Sequence, residues 1–373
     1  LQYFNELPYL TLQLINTANW PTAIKKYDLQ FRCTHIFIMK RIKRFFLLLI
    51  LLAIITYLLG PKPPKPELNK DLPSLSASIA NIETFVKRKE AAFSIKPDNE
   101  SRIIWANDSL KERTGFCVLY LHGFSASWYE GYPAHERFAS YFGYNLYVPR
   151  LHDHGLITED PLLNMTPDEL YASAKEALMV ARSLGKKVII MSTSTGGTLG
   201  LKLAADFPEY VDALILYSPN IKVRNSSMAL LSKPWGLQIG RKVMKGKYRI
   251  SEDDPESEAC QYWNCKYRVE ALVYLQQLVE ATMTKETFSR VTAPVFLGYY
   301  YKDAENQDET VSVDAMQKMF DALGTLPAKK VKKAFPEAGD HVIACELTSG
   351  SVENVIAETI RFGEGILGIS PAR

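Results

Sequence analysis

The sequence predicts an α/β protein: a mostly parallel sheet with helices on both faces, interrupted by an inserted helical cap. Three observations carry this. Short apolar runs recur at 115–121, 187–191, 211–217 and 294–300, bounded by turn residues, which is how strands buried on both faces read. Helical patterns alternate with them, so the strands run parallel. The alternation stops after Pro219 and resumes at Pro294, and the residues between, 221–290, are polar, aromatic and mostly helical in pattern.

Each element follows in order. Residues 78–90 have the spacing of an amphipathic helix, and 101–106 read as a short strand. The buried strand 115–121 leads to a helix over 130–142 and a strand at 145–149. The helix 167–184 is bounded by Thr166 as its N-cap and by Gly185 at its end. A strand at 187–191 turns into a helix at about 195–206, and a strand closes this half at 211–217. Beyond the cap come the strand 294–300, a helix at about 312–323, a strand at about 330–335 and a last helix at about 351–362. The 373 residues suffice for one large α/β domain with an insertion, or for two smaller domains. No internal repeat is visible.

The N-terminal part reads differently. Lys40, Arg41, Lys43 and Arg44 precede an apolar run from Phe45 to Leu59, and Pro61-Lys-Pro-Pro-Lys-Pro66 follows as a stiff linker extending to about residue 75. A basic flank before an apolar run is the pattern of a signal peptide or a signal anchor. No A-x-A cleavage pattern follows, so residues 39–60 read as an uncleaved anchor in preference to a cleaved signal. The run is shorter than the roughly 20 residues of a typical span. With the basic end inside, the remainder, 76–373, is expected on the exported side. The first methionine is Met39, which makes residues 1–38 read as a non-native extension.

Composition excludes some classes. A formal net charge of +3, with only short Lys/Arg runs, argues against nucleic-acid binding. The five cysteines form neither a disulfide framework nor a zinc pattern. Cys117 falls in a buried strand. Cys260 and Cys265 are close enough in sequence to pair in an oxidising compartment, the alternative being two free thiols.

The chemistry concentrates in Val188-Ile-Ile-Met-Ser-Thr-Ser-Thr-Gly-Gly197. A strand that turns sharply into a helix around a nucleophile needs small residues two before and two after it. Ser192 has Ile190 before it, Thr193 is preceded by Met191, and Thr195 by Thr193. Only Ser194 has small neighbours on both sides, Ser192 and Gly196. A serine needs a base, and His341 in Gly339-Asp-His341, near the C-terminus, is best placed for it. His152 and His154 come too early in the chain order for that task. The base needs a carboxylate to hold its tautomer; Asp308, at a loop-to-helix junction above Val311, is preferred over Asp303. An oxyanion needs two N–H donors, expected from Thr195 at the start of its helix and from Phe124 in the Leu121-His-Gly-Phe124 turn. His122 is expected to brace that turn and not to act chemically.

With these features in this order, the chain over about 100–365 resembles the α/β-hydrolases with a Ser-Asp-His triad. The interrupting cap is similar to that of monoacylglycerol lipases and related carboxylesterases. Two positions depart from the family pattern: Ser192 stands for the first glycine of G-x-S-x-G, and Asp153 for the first glycine of a G-H-G loop at Arg150-Leu-His-Asp-His-Gly155. The resemblance implies a serine hydrolase acting on carboxylic esters, without cofactor or metal, on a small-molecule ester or lipid near a membrane. A peptidase or acyltransferase on the same triad, or a non-catalytic binding protein, are the alternatives. Cap aromatics such as Trp263 and Tyr267 are expected either to contact an acyl chain or to fasten the cap to the core.

Overall fold

A computed structural model describes residues 20–75 and 77–372 of the chain. It divides into two compact units, one ending at Gly60 and the other running from Pro61 to the C-terminus. The first contains one long helix, α1 (Trp20–Leu58). Residues 20–38 are part of it, and residues 1–19 of the expected extension lie outside the described residues. The expected membrane span is corrected: among the described residues no helix is long and apolar enough to cross a membrane. The reason is the pattern itself. The apolar run falls short of a span, and any longer window takes in the basic residues at 40–44.

The second unit opens with 61–75, which forms no helix or strand but is tied down at several points. The Pro61 and Pro64 carbonyls accept from Trp235 N–H and Gln277 Nε2, and Asp168 accepts from the N–H groups of Glu67 and Leu68. Next come α2 (Ile82–Glu90), β1 (Arg102–Ile104), β2 (Thr114–Leu121), α3 (Ala134–Phe142), β3 (Asn145–Val148), α4 (Pro167–Leu184), β4 (Gly185–Thr193), α5 (Thr195–Asp206) and β5 (Ala213–Tyr217). Thr166 caps α4 by accepting from Glu169 N–H at 3.3 Å, with Pro167 in the first turn, where its missing N–H costs nothing.

The sheet has the order β1-β3-β2-β4-β5-β8-β9, with β8 (Val295–Tyr299) and β9 (Lys330–Ala334) arriving from the C-terminal half. Only β1 is antiparallel to its neighbour; every other pairing is parallel. The central strands β4 and β5 read as unbroken apolar runs because both faces are covered. Val188, Ile189, Ile190 and Met191, like Ala213 to Tyr217, are fully buried. Each such aliphatic contributes about 1.5–3 kcal/mol by leaving water.

The region 221–290, expected to be mostly helical, carries strands as well as helices. It holds α6 (Gly236–Val243), α7 (Glu258–Tyr262) and α8 (Val269–Thr282), but also an antiparallel ribbon of β6 (Tyr248–Ile250) and β7 (Lys266–Arg268). Three-residue strands are too short to leave a periodic signal in sequence. The last helix of the stretch, α9 (Lys285–Arg290), packs against α5 and against α10 (Val313–Ala322), so it joins the main body. The chain ends with α11 (Val352–Gly365), which packs on α3.

Candidate active site

The turn between β4 and α5 is built around Ser194. Its backbone takes φ 53° and ψ −118°, a conformation rare for a non-glycine residue and held only where surrounding structure over-determines it. That surrounding is visible. Ser194 N–H donates to Tyr217 O at 3.0 Å, and its carbonyl accepts from the N–H groups of Asn220 and Gly197, both at 2.9 Å. The crossing of α5 over β2 is so close that a Cβ on Gly196 would lie 1.9 Å from Leu121 O. Ser192 is fully buried, and its Oγ, facing the backbone of α5, makes no hydrogen bond among the described residues. Ser194 itself is 6% exposed.

At the ends of later strands, the chain brings Asp308 and His341 together. Asp308 follows β8 and His341 follows β9. Asp308 Oδ2 accepts from His341 Nδ1 at 2.6 Å, while Oδ1 accepts from the N–H groups of Thr310 and Val311, each at 2.9 Å. Asp303 goes elsewhere: it closes its own exposed turn by accepting from Glu305 and Asn306. Burial pushes the Asp308 carboxyl up, but the His341 charge and the three hydrogen bonds outweigh it, so its pKa lies below the ordinary carboxylate value. Burial likewise disfavours the His341 cation, and the charge and hydrogen bond of Asp308 outweigh that too, leaving the imidazole pKa raised. His341 Nε2 is buried and makes no hydrogen bond among the described residues.

The turn after β2 carries Phe124. Among the described residues no acceptor takes its N–H. Thr195, as the first residue of α5, has an N–H with no intrahelical acceptor. His122 is fully buried and spends both ring nitrogens on backbone: Nδ1 donates to Gly123 O at 2.9 Å, and Nε2 accepts from Leu151 N–H at 3.1 Å. Burial drives its pKa down to about 4, so it stays neutral. His154 behaves similarly. Its Nε2 accepts from Ser125 N–H at 3.2 Å, and its Nδ1 donates to His152 O. His152 Nδ1 lies 3.9 Å from the Glu169 carboxylate.

Sequence reasoning missed Glu130. It sits in the turn after the Phe124 loop, is 2% exposed, and accepts the N–H of Gly123. A single carboxylate among the aromatics of Ser127-Trp-Tyr-Glu-Gly-Tyr132 is the signal that marks it.

A cavity of about 620 Å³ opens onto His341. Its walls come from the ribbon and α7 on one side and from the loops after β8 and β9 on the other. Most are polar, including Arg249, Asp253, Asn264, Asn306 and Thr310, with Trp263, Tyr267 and Tyr300 as the large apolar surfaces. Ser194 is not among the lining residues. The cap meets the site directly: Asn264 N–H donates to Ser125 O at 2.8 Å, and the Tyr267 ring stands edge-on to Phe124 at 5.1 Å. Other cap aromatics serve the fastening, as when Tyr262 stacks on Tyr129 at 4.2 Å. Cys260 and Cys265 form a disulfide in this part of the cap. With Asp253 they make up the one cluster of metal-ligand type among the described residues, and the disulfide leaves no thiolate there to bind a metal.

No family model matches the sequence, and no curated protein matches it. Solved structures do resemble it. One is from the pair LipS and LipT, two metagenome-derived lipolytic enzymes, with a TM-score of 0.58 and 17% identity, covering 72% of this chain and 98% of that one. Another is Est1E from Butyrivibrio proteoclasticus with bound ferulic acid, with a TM-score of 0.50 and 15% identity, covering 72% and 95%. Together with the sheet order and the strand-turn-helix at Ser194, these likenesses show that the chain has the α/β-hydrolase fold.

Proposed function

We propose that the protein is a serine hydrolase that cleaves carboxylic esters through Ser194, His341 and Asp308. The observation that carries this is the buried Asp308–His341 pair, whose Nε2 makes no hydrogen bond among the described residues, taken with the strained turn at Ser194. Asp308 fixes the tautomer with the proton on Nδ1, so Nε2 is the basic nitrogen. Ser194 Oγ attacks the acyl carbon and gives its proton to His341 Nε2. The N–H groups of Phe124 and Thr195 receive the oxyanion. The C–O bond to the alcohol breaks as Nε2 returns the proton to the leaving oxygen. Water then adds to the acyl-enzyme with the same proton relay and frees the acid. No step calls on a metal or cofactor.

The two structural neighbours, lipolytic enzymes and a ferulate-bound protein, are consistent with an ester substrate. The polar walls of the cavity favour a short or polar acyl group over a long chain, since a long chain would desolvate Arg249, Asp253 and Asn264 without partners. We also place the domain outside the cytoplasm, which the Cys260–Cys265 disulfide supports because reducing compartments rarely keep such bonds.

The deciding experiment is labelling with a fluorophosphonate probe, joined to a panel of esters of rising chain length. Wild-type protein should label and Ser194→Ala should not. Labelling that persists in the variant overturns the assignment. A folded wild type inert to both probe and esters favours a binding protein.

A further inference from the structure

We propose that Glu130 is a positioning residue of the catalytic centre, whose buried carboxyl holds the loop that presents Phe124 N–H to the oxyanion. The inference rests on the hydrolase reading and extends it.

The geometry is specific. Glu130 accepts from Gly123 N–H, the residue immediately before Phe124. The Gly123 α-carbon is wedged between this carboxyl and the nucleophile: a Cβ there would lie 2.6 Å from Glu130 Oε1 and 3.0 Å from Ser194 Cβ. Glu130 Oε2 also accepts from the Tyr120 hydroxyl at 3.4 Å, and that hydroxyl lies 2.9 Å from Thr193 Oγ1, one residue before Ser194. One carboxyl therefore touches both the oxyanion loop and, through Tyr120, the strand end carrying the nucleophile. No salt bridge involves Glu130 among the described residues. A buried carboxylate with no salt bridge is expensive, which favours the protonated carboxyl at this place.

Burial pushes the Glu130 pKa up to about 8, against the pull of the Gly123 hydrogen bond, the His341 charge and the Tyr120 hydroxyl. Near neutral pH it is mainly protonated. The other titratable groups facing it stay uncharged through this range. Tyr120 on β2 is held well above its usual value, Cys345 in the C-terminal segment is pushed up to about 12, and His135 on α3, edge-on to the Tyr120 ring, is driven down to about 4. His341 is the remaining partner, and its cation and the Glu130 carboxylate stabilise one another. Ionising Glu130 places a negative charge beside the loop that must accept the oxyanion, so kcat should fall as the pH rises through that titration.

The test compares kcat and KM against pH for wild type, Glu130→Gln and Glu130→Ala on a short-chain ester, with fluorophosphonate labelling and a thermal melt alongside. Wild type should lose turnover on the alkaline side. Glu130→Gln should keep KM and lose that alkaline limb. Glu130→Ala should lower kcat about 10- to 100-fold, less than or comparable to losing an oxyanion donor, at nearly constant KM, with glutamine restoring most of it. An alkaline limb unchanged in Glu130→Gln, or an unchanged kcat in Glu130→Ala, overturns the proposal. Should Glu130→Ala fail to fold, the Glu130→Gln profile decides. A wild type that does not label sinks the hydrolase reading itself, which separates the two failures.

Discussion

Asp308 and His341, 33 residues apart in sequence, share a 2.6 Å hydrogen bond from Nδ1 to Oδ2 that leaves the carboxylate fully satisfied by this bond and two backbone N–H groups. An amide at 308 would offer an N–H or a weaker acceptor and would lose the charge that supports the imidazolium. Asp308→Asn should therefore lower kcat on the order of 10³–10⁴-fold with KM little changed. Steady-state kinetics checks it, and circular dichroism checks that the fold survives.

The same pair sets a pH dependence. His341 acts as a base only when neutral, and its pKa is raised by Asp308. The acidic limb of kcat/KM should therefore lie on the alkaline side of about 6.5, the ordinary imidazole value. Stability has its own window. The raised His341 contributes fully below its unfolded value and loses this as pH rises through its folded pKa. The depressed Asp308 contributes fully above its unfolded value and loses this as pH falls through its folded pKa. The two overlap from about pH 4 to about 6.5. Urea melts of wild type and Asp308→Asn should differ most there, and the difference should narrow as pH falls through the folded pKa of Asp308 and, less completely, as it rises through that of His341.

At the serine turn, size decides. Ser192→Gly removes a buried hydroxyl that has no hydrogen-bond partner among the described residues, so activity should stay within about two-fold and stability should change by under about 1 kcal/mol. Gly196→Ala forces a methyl to within 1.9 Å of the Leu121 carbonyl oxygen. It should cost about 3 kcal/mol or more and abolish turnover. Thermal melts with kinetics separate the two variants.

The Cys260–Cys265 disulfide closes a short loop whose Cys265, with the adjacent Asn264, lines the cavity. Replacing both cysteines by serine should cost about 2 kcal/mol by the loop-entropy relation. It should also raise KM, because Asn264 N–H would no longer be held against Ser125 O. Reduction with a thiol should reproduce the shift in KM for wild type and leave the double variant unaffected.

Much of the fold was legible because buried parallel strands announce themselves as apolar runs. The expected strand at 187–191 is the middle of β4, and the expected helix at 167–184 has the same bounds as α4. What was not legible was short or local. Three-residue strands in the cap carry no periodicity, and α9 looks like cap in sequence yet packs on the body. The apolar run after Arg44 formed a helix but not a membrane span, because charge at its start limits the usable length.

Sequence alone supplied the order of the proposed triad: a serine framed by small residues, then an acid, then a histidine, each just past a strand. It could do so because strand-turn-helix geometry restricts residue size locally. The sequence preferred Asp308 to Asp303 from its place at a loop-to-helix junction, but the bond to His341 is visible only in the tertiary structure, since hydrogen-bond partners that are 33 residues apart have no local signature. Only the tertiary structure revealed Glu130, whose proposed role rests on its burial against Gly123 and Tyr120. Burial and through-space charge belong to packing, and packing is a property of the folded chain as a whole.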